Sequence, residues 1–327
     1  HGAEAPGASQ NQDLQLIVRL NRPDAVYESL EPVTVELKLL NSSGEPMIVS
    51  SNALKDSHHL VVVVQRKGDP ARVFRPFANY CLQSKRVVLE AGASLYEPLF
   101  LSADANGWLI DEPGQYSIRV ACVEPESHQV AMSNALIVRV LPPRNYEEAR
   151  LAQDYFTDEV ARILRFNGSQ FFENANDVLR QLTEQFPESQ AAAPARIALA
   201  MPETFDYKVL TMKEVTALRL QPAAKLDGHF KTRKATLKEA SALLSPALGL
   251  NLKGAAQQQN QLNKTLNTVG HIGAEKVANA YANALEQAGD KPQAAAVLNS
   301  LSQAFDERKV LKSVVDKMRQ AANEMKK

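Results

Sequence analysis

Pro142 and Pro143 stand side by side near the middle of the chain, and they constrain the fold more than any other feature. A proline pair removes two backbone donors and fixes two φ angles, so neither a strand nor a helix runs through it. The composition changes at the same place. Residues 1–142 hold 17 Val and 14 Ala, whereas residues 143–327 hold 10 Val and 31 Ala. Branched side chains suit a pleated sheet and alanine suits a helix. The chain therefore reads as multidomain, β then α. A flexible leader of small and polar residues covers 1–13, a β domain 14–143 and an α-helical region 144–327. A length of 327 residues fits that division better than one core.

The first half alternates with period two. In Val33-Thr34-Val35-Glu36-Leu37-Lys38-Leu39 the apolar residues share one face, as in a half-buried antiparallel strand. Tyr116, Ile118, Val120 and Cys122 share a face in the same way. Further strands are predicted over Leu14–Leu20, Met47–Ser50, Leu60–Arg66, Arg86–Glu90, Leu95–Leu101 and Ala135–Leu141. Turn signals separate them, among them 41–46 (NSSGEP), 67–70 (KGDP) and Ala91-Gly92. Eight short strands with frequent turns point to a β-sandwich.

Three stretches sharpen that reading: Tyr27 to Val33 (YESLEPV) leading into "LLNSSGEPM", Gly107-Trp108 followed by Glu112 to Tyr116 (EPGQY), and Ser133 to Leu136 (SNAL) running into Val138-Arg139-Val140. Together they resemble the Ig-like module of bacterial secreted proteins over about residues 14–143. Gly114-x-Tyr116 is similar to a tyrosine corner, in which the phenol bonds back to nearby backbone. The resemblance implies an Ig-like antiparallel β-sandwich and export to an extracellular or periplasmic location. It implies no catalytic residue. The opening His1, in place of Met, reads as a processed terminus.

The second half has helical period. Glu147–Phe166 carries Ala149, Ala152, Phe156, Val160 and Ile163 along one face, and Phe171–Phe186 forms a second amphipathic helix. Pro187-Glu188-Ser189-Gln190 ends it and caps a third helix over Ala191–Ala200. The stretch 179–200 resembles a tetratricopeptide-type helix junction. Residues 280–305 resemble another hairpin, with Gly289-Asp290 at its turn. The two share no clean 34-residue register, so they read as degenerate hairpins rather than a regular array. A last helix is predicted over Lys309–Lys327. Residues 201–235 lack a clear period and read as a loop, with a basic segment at Lys225, Lys231, Arg233 and Lys234 around Phe230.

Lys+Arg and Asp+Glu are both 37, so the formal charge is zero. A general nucleic-acid binder draws its affinity from excess basic charge, so that class is disfavoured. The longest apolar run has strand length, far short of the ~20 residues that span a bilayer. The chain shows no phosphate loop, nucleophile elbow, HExxH, EF-hand or CxxC. No catalytic residue and no cofactor is therefore named, and a protein partner is expected of a non-enzymatic interaction or scaffold protein.

Three smaller features have chemical potential. His1, with its free amine and imidazole, can chelate copper if a second histidine faces it. His58, His59 and His128 are the candidates, and copper monooxygenases with an amino-terminal histidine use a similar sandwich. The leader that follows His1 has no apolar anchor, so a rigid copper site is not expected. Cys81 and Cys122 are a candidate disulfide in an oxidising compartment, or two buried thiols. Trp108 reads as an aromatic platform for a carbohydrate-binding or inhibitor module, or as a core residue. His229 and His271 read as solvated loop residues. Asn41, Asn167 and Asn263 begin glycosylation sequons.

Overall fold

A computed structural model describes residues 13–55, 58–78, 85–209, 231–310 and 312–325. The chain divides into two compact units, residues 1–144 and 145–327.

The first unit is all β. Its strands in chain order are β1 (Leu14–Leu20), β2 (Val26–Tyr27), β3 (Thr34–Asn41), β4 (Met47–Ser50), β5 (Leu60–Arg66), β6 (Arg72–Val73), β7 (Arg86–Leu89), β8 (Ser94–Phe100), β9 (Ala103–Asp104), β10 (Gly107–Trp108), β11 (Gly114–Val123), β12 (Val130–Met132) and β13 (Leu136–Val140). The longer strands fall within a residue or two of the predicted stretches. The two- and three-residue strands β2, β6, β9, β10 and β12 are too short to leave a periodic signal.

One sheet has the order β1-β3-β8, antiparallel throughout. A six-stranded sheet runs β2-β13-β11-β5-β6, with β12 also paired to β11. Small pairs β4-β7 and β9-β10 complete the unit. Leu16, Val35, Leu37 and Leu39 from the first sheet and Val62, Ile118, Val120 and Val138 from the second belong to one buried cluster. This is the payoff of period two, because each strand gives alternate side chains to a common interior.

The turn predicted at 41–46 has a buried anchor. Asn41 is fully buried, its amide donates to the carbonyls of Glu45 and Leu89, and its Oδ1 accepts from the Ser43 backbone. A second anchor is Glu124, 1% exposed. It accepts from the backbone N–H groups of Ser50, Glu126 and Ser127, which ties β4 to the β11–β12 turn.

The second unit contains eight α-helices among the described residues. They are α1 (Tyr146–Tyr155), α2 (Asp158–Arg165), α3 (Glu173–Gln185), α4 (Ala192–Ala200), α5 (Leu237–Ala247), α6 (Ala255–Gln287), α7 (Lys291–Glu307) and α8 (Lys312–Met325). The single helix expected over 147–166 is two helices. The Thr157 hydroxyl accepts from Val160 N, and Asp158 and Glu159 fill the new first turn, so the chain restarts at a competent cap. The Pro187–Gln190 junction behaves as its residues dictate: Ser189 Oγ accepts from Ala192 N at 3.1 Å. The turn between α6 and α7 uses Gly289 at φ 87°, and the Asp290 side chain caps Gln293 N. Helix α6 is broken at Gly270, where φ is 72° and ψ 177°, outside the helical region.

The described residues of the segment expected to be a loop over 201–235 include regular structure. A 3-10 turn covers Met201–Thr204, and β14 (Tyr207–Val209) pairs antiparallel with β15 (Lys231–Arg233). Lys225 and Phe230 lie outside the described residues.

Candidate functional site

The most strongly built polar site lies in the helical unit, around Glu203. Its frame starts with the turn after α2. Asn167 has φ 56° and Gly168 φ 113°, and a Cβ on Gly168 would lie 2.3 Å from the Ala198 carbonyl oxygen and 2.6 Å from Pro202. Only glycine permits this approach of the turn to α4. The turn delivers Ser169 and Gln170 to the start of α3. Asn176, on the first turns of α3, donates through Nδ2 to the Ser169 carbonyl at 2.8 Å.

The 3-10 turn then sets Glu203, whose residue is 8% exposed. Glu203 Oε1 accepts from Gln170 Nε2 and, at 3.3 Å, from the Arg233 guanidinium delivered by β15. Arg233 also donates to Gln170 Oε1, which closes a three-membered network. The other oxygen, Oε2, is buried and has no hydrogen-bond partner among the described residues. These groups line a pocket of about 340 Å³ that also takes in Glu173, Asp177 and Arg180, with Leu199 and Pro202 as its apolar wall. Arg180 pairs with Asp177 at 2.5 Å on the rim. Three carboxylates face two guanidinium groups, so the pocket carries a net charge of minus one. Chemically it is a polar cleft that mixes carboxylate acceptors with guanidinium and amide donors.

The second candidate is the outer face of the six-stranded sheet. Val61 sits beside Ala121, which sits beside Met132; Val123 faces Val130; Val63 faces Val73. Val61, Val73, Val123, Val130, Met132 and Ile137 are each 40% exposed or more. The charged side chains among the paired residues of this face are Arg119 and Arg139, both exposed.

The residues singled out from the sequence scatter. His1 and Cys81 lie outside the described residues. His58 and His128 are exposed and His59 is half-buried, with His128 at φ 55° in the turn after β11. Among the described residues no group of three or more His, Cys, Asp or Glu is placed to hold a metal ion. Cys122 is a buried free thiol whose Sγ donates to the Ala53 carbonyl at 3.4 Å. Burial, and secondarily the Glu124 carboxylate, pushes it up to about 12.

Trp108 is 7% exposed, so its ring offers no open face to a sugar. The Tyr116 hydroxyl donates to the Glu112 carbonyl at 2.7 Å, the back-bonding that Gly114-x-Tyr116 foretold. His271 is a correction: it follows the Gly270 break inside α6, half-buried, with its ring 5.4 Å edge-on from Phe305. Asn41, the first sequon residue, is fully buried and carries no exposed amide for a glycan. Of the basic segment, Arg233 is in the Glu203 network and Lys234 meets Asp206 at 2.6 Å, while Lys231 is an exposed residue of β15.

Sequence reasoning missed Gln170 and Glu203 altogether. A lone Glu after a proline and a lone Gln in a turn carry no local signal; 33 residues of chain separate the two.

No family model matches the chain, and no curated protein matches it. Among solved structures, a β-glucosidase from Listeria innocua in complex with glucose is 15% identical, with 40% of this chain and 16% of that chain covered and a TM-score of 0.24. The sporulation control protein Spo0M from Bacillus subtilis is 6% identical, with 43% and 54% covered and a TM-score of 0.23. A β-glucuronidase from Bacteroides uniformis is 11% identical, with 78% and 32% covered and a TM-score of 0.19. The chain thus spans about a sixth of the length of that glucosidase. Likenesses this distant carry no functional argument.

Proposed function

We propose that this is an exported, non-enzymatic interaction or scaffold protein, an Ig-like β-sandwich followed by degenerate tetratricopeptide-like hairpins. The sandwich reading is supported by the inner faces of two sheets in one cluster and by the Tyr116–Glu112 bond, which has the form of a tyrosine corner. The hairpin reading is supported by the antiparallel succession of α6 and α7 through Gly289 and Asp290. Export rests on the sequence resemblance.

The observation that carries the interaction reading is the outer face of the six-stranded sheet. Large exposed apolar patches mark interaction sites, because water pays no favourable term for them. Here a cluster of valines, a methionine and an isoleucine faces outward, and its charges are two arginines. The partner that fits is a protein with an apolar patch flanked by carboxylates, since complementary charge at a rim sets orientation.

The test is photo-crosslinking in the natural source. A benzophenone side chain at position 61 is expected to give one adduct of defined mass, and the same group at Val88, on the separate β4-β7 pair, is expected to give none. Absence of a discrete adduct from position 61, or identical adducts from both positions, overturns the reading.

A further inference from the structure

We propose that Met132 is a reversible oxidation site that takes its oxygen from a peroxide, and that its sulfoxide closes the outer face of the six-stranded sheet to a partner. The site itself stands on geometry, and its effect on binding rests on the interaction reading above.

The strand decides where the sulfur points. Side chains alternate along β12, so Ala131 enters the core at 4% exposed while Val130 and Met132 turn outward. Met132 is 61% exposed. Its partner on β11 is Ala121, which offers a single methyl group. A hollow of about 240 Å³ between β1 and β12 has Met132 in its wall, and peroxide, little larger than water, fits there.

The other methionines among the described residues are sheltered. Met318 and Met325 are buried in the core of the helical unit. Met47 and Met201 are half-buried, each packed against one of the two cores. Oxidation of a thioether follows its access to solvent, so Met132 is the first to react.

The step balances. The thioether sulfur gives an electron pair to one peroxide oxygen; the S–O bond forms and the O–O bond breaks. The proton on the transferred oxygen passes to the departing hydroxide, which leaves as water. Sulfur is oxidised by two electrons and the peroxide is reduced by two. A methionine sulfoxide reductase, drawing its electrons from a thiol, restores the thioether.

Position gives the modification its consequence. Strand β12 is held to β11 without the Met132 side chain: Ser133 N donates to the Val120 carbonyl at 2.8 Å, and Ser133 Oγ accepts from Val120 N at 2.9 Å. The fold therefore survives oxidation. The binding face does not keep its character, because Met132 shares it with Val61, Val123 and Val130. A sulfoxide puts a strong acceptor among them, and an apolar partner would bury that acceptor unpaired.

Hydrogen peroxide on the native full chain, followed by tryptic mapping, is expected to oxidise Met132 at least about tenfold faster than Met318 or Met325, with circular dichroism unchanged. A benzophenone at position 73 reads the partner in the natural source from the same face, three strands away from the sulfur. Its adduct is expected to weaken at least about fivefold after oxidation and to return after reductase treatment. In Met132→Leu, which keeps an apolar side chain of similar size, the adduct is expected to survive peroxide. Oxidation of Met318 or Met325 as fast as Met132 overturns the site. An adduct equally strong before and after oxidation, or lost equally in Met132→Leu, overturns the switch. If reduced protein gives no adduct while Met132 still oxidises first, the interaction reading falls and the switch with it, and the site stands.

Discussion

Asn134 holds Val18 by both of its backbone groups, although 116 residues separate them. Asn134 Oδ1 accepts from Val18 N at 3.0 Å, and Asn134 Nδ2 donates to Val18 O at 3.1 Å. A neighbouring strand would make the same two bonds. Val18 lies on β1, the edge of the three-stranded sheet, so one side chain stands in for a strand there. Asn134→Ala is expected to cost about 1–2 kcal/mol, two modest hydrogen bonds, as a lower urea midpoint with an unchanged slope. An unchanged midpoint would show that the edge needs no such clasp.

Tyr116→Phe removes only the hydroxyl that donates to the Glu112 carbonyl. The ring stays in the core, 2% exposed in the native residue. The expected loss is about 1 kcal/mol, read as a lower melting temperature. A larger loss, with altered near-ultraviolet dichroism, would mean that the ring itself had moved.

Glu31 makes stability depend on pH. Burial pushes its carboxyl up to about 7, against the opposing Arg22 guanidinium, which also stacks 4.5 Å from the Tyr27 ring. The unfolded carboxyl titrates near its ordinary value of about 4.3. Between those values the folded state holds the proton and the unfolded state has lost it. Stability from this group is therefore full at low pH and declines as pH rises toward 7. Glu31→Gln, which does not titrate, is expected to flatten urea midpoints between pH 4.5 and 7.5, even if its midpoint is lower throughout because Arg22 loses its partner. An equal slope in both proteins would refute the shift.

Cys122 is expected to resist thiol reagents in the native state. Its thiol is fully buried and held up to about 12, so the thiolate that reacts is scarce. Peptide mass analysis under reducing conditions should find it alkylated only after denaturant is added. Labelling at the rate of a free peptide thiol would place Cys122 at the surface.

Gly168→Ala tests the frame of the Glu203 pocket. The added Cβ meets the Ala198 carbonyl and Pro202 well inside contact distance, at a φ of 113° that disfavours any side chain. A loss of about 2 kcal/mol or more is expected. Gly44→Ala is the control, with nothing within 4 Å of its Cβ, and should leave the melting temperature within a degree or two.

Local signals were legible wherever cause and effect share a few residues. Period two marked Thr34–Leu39 and Tyr116–Cys122, which lie in the strands Thr34–Asn41 and Gly114–Val123, because alternation is a property of the strand itself. Gly289-Asp290 and Pro187–Gln190 marked turns, because φ freedom and side-chain caps act within one helical turn. Where two local signals competed, the weaker reading lost: Thr157-Asp158-Glu159 is itself a helix start, and it divides the amphipathic stretch that runs through it.

What only the tertiary structure decided is which distant groups meet. Glu188, read as part of a helix stop, accepts from Lys264, 76 residues on, at 2.8 Å, and that lysine lowers its carboxyl below the usual range. Glu203, Gln170 and Arg233 converge because a 3-10 turn, a left-handed glycine turn and a short strand deliver them to one place. Each is an ordinary polar residue in its own stretch of sequence. The burial that leaves Glu203 Oε2 without a donor among the described residues belongs to no segment alone. It arises when α3, α4 and the β14–β15 pair close around one carboxylate, and a hydrogen bond left unmade there is a property of packing, not of sequence order.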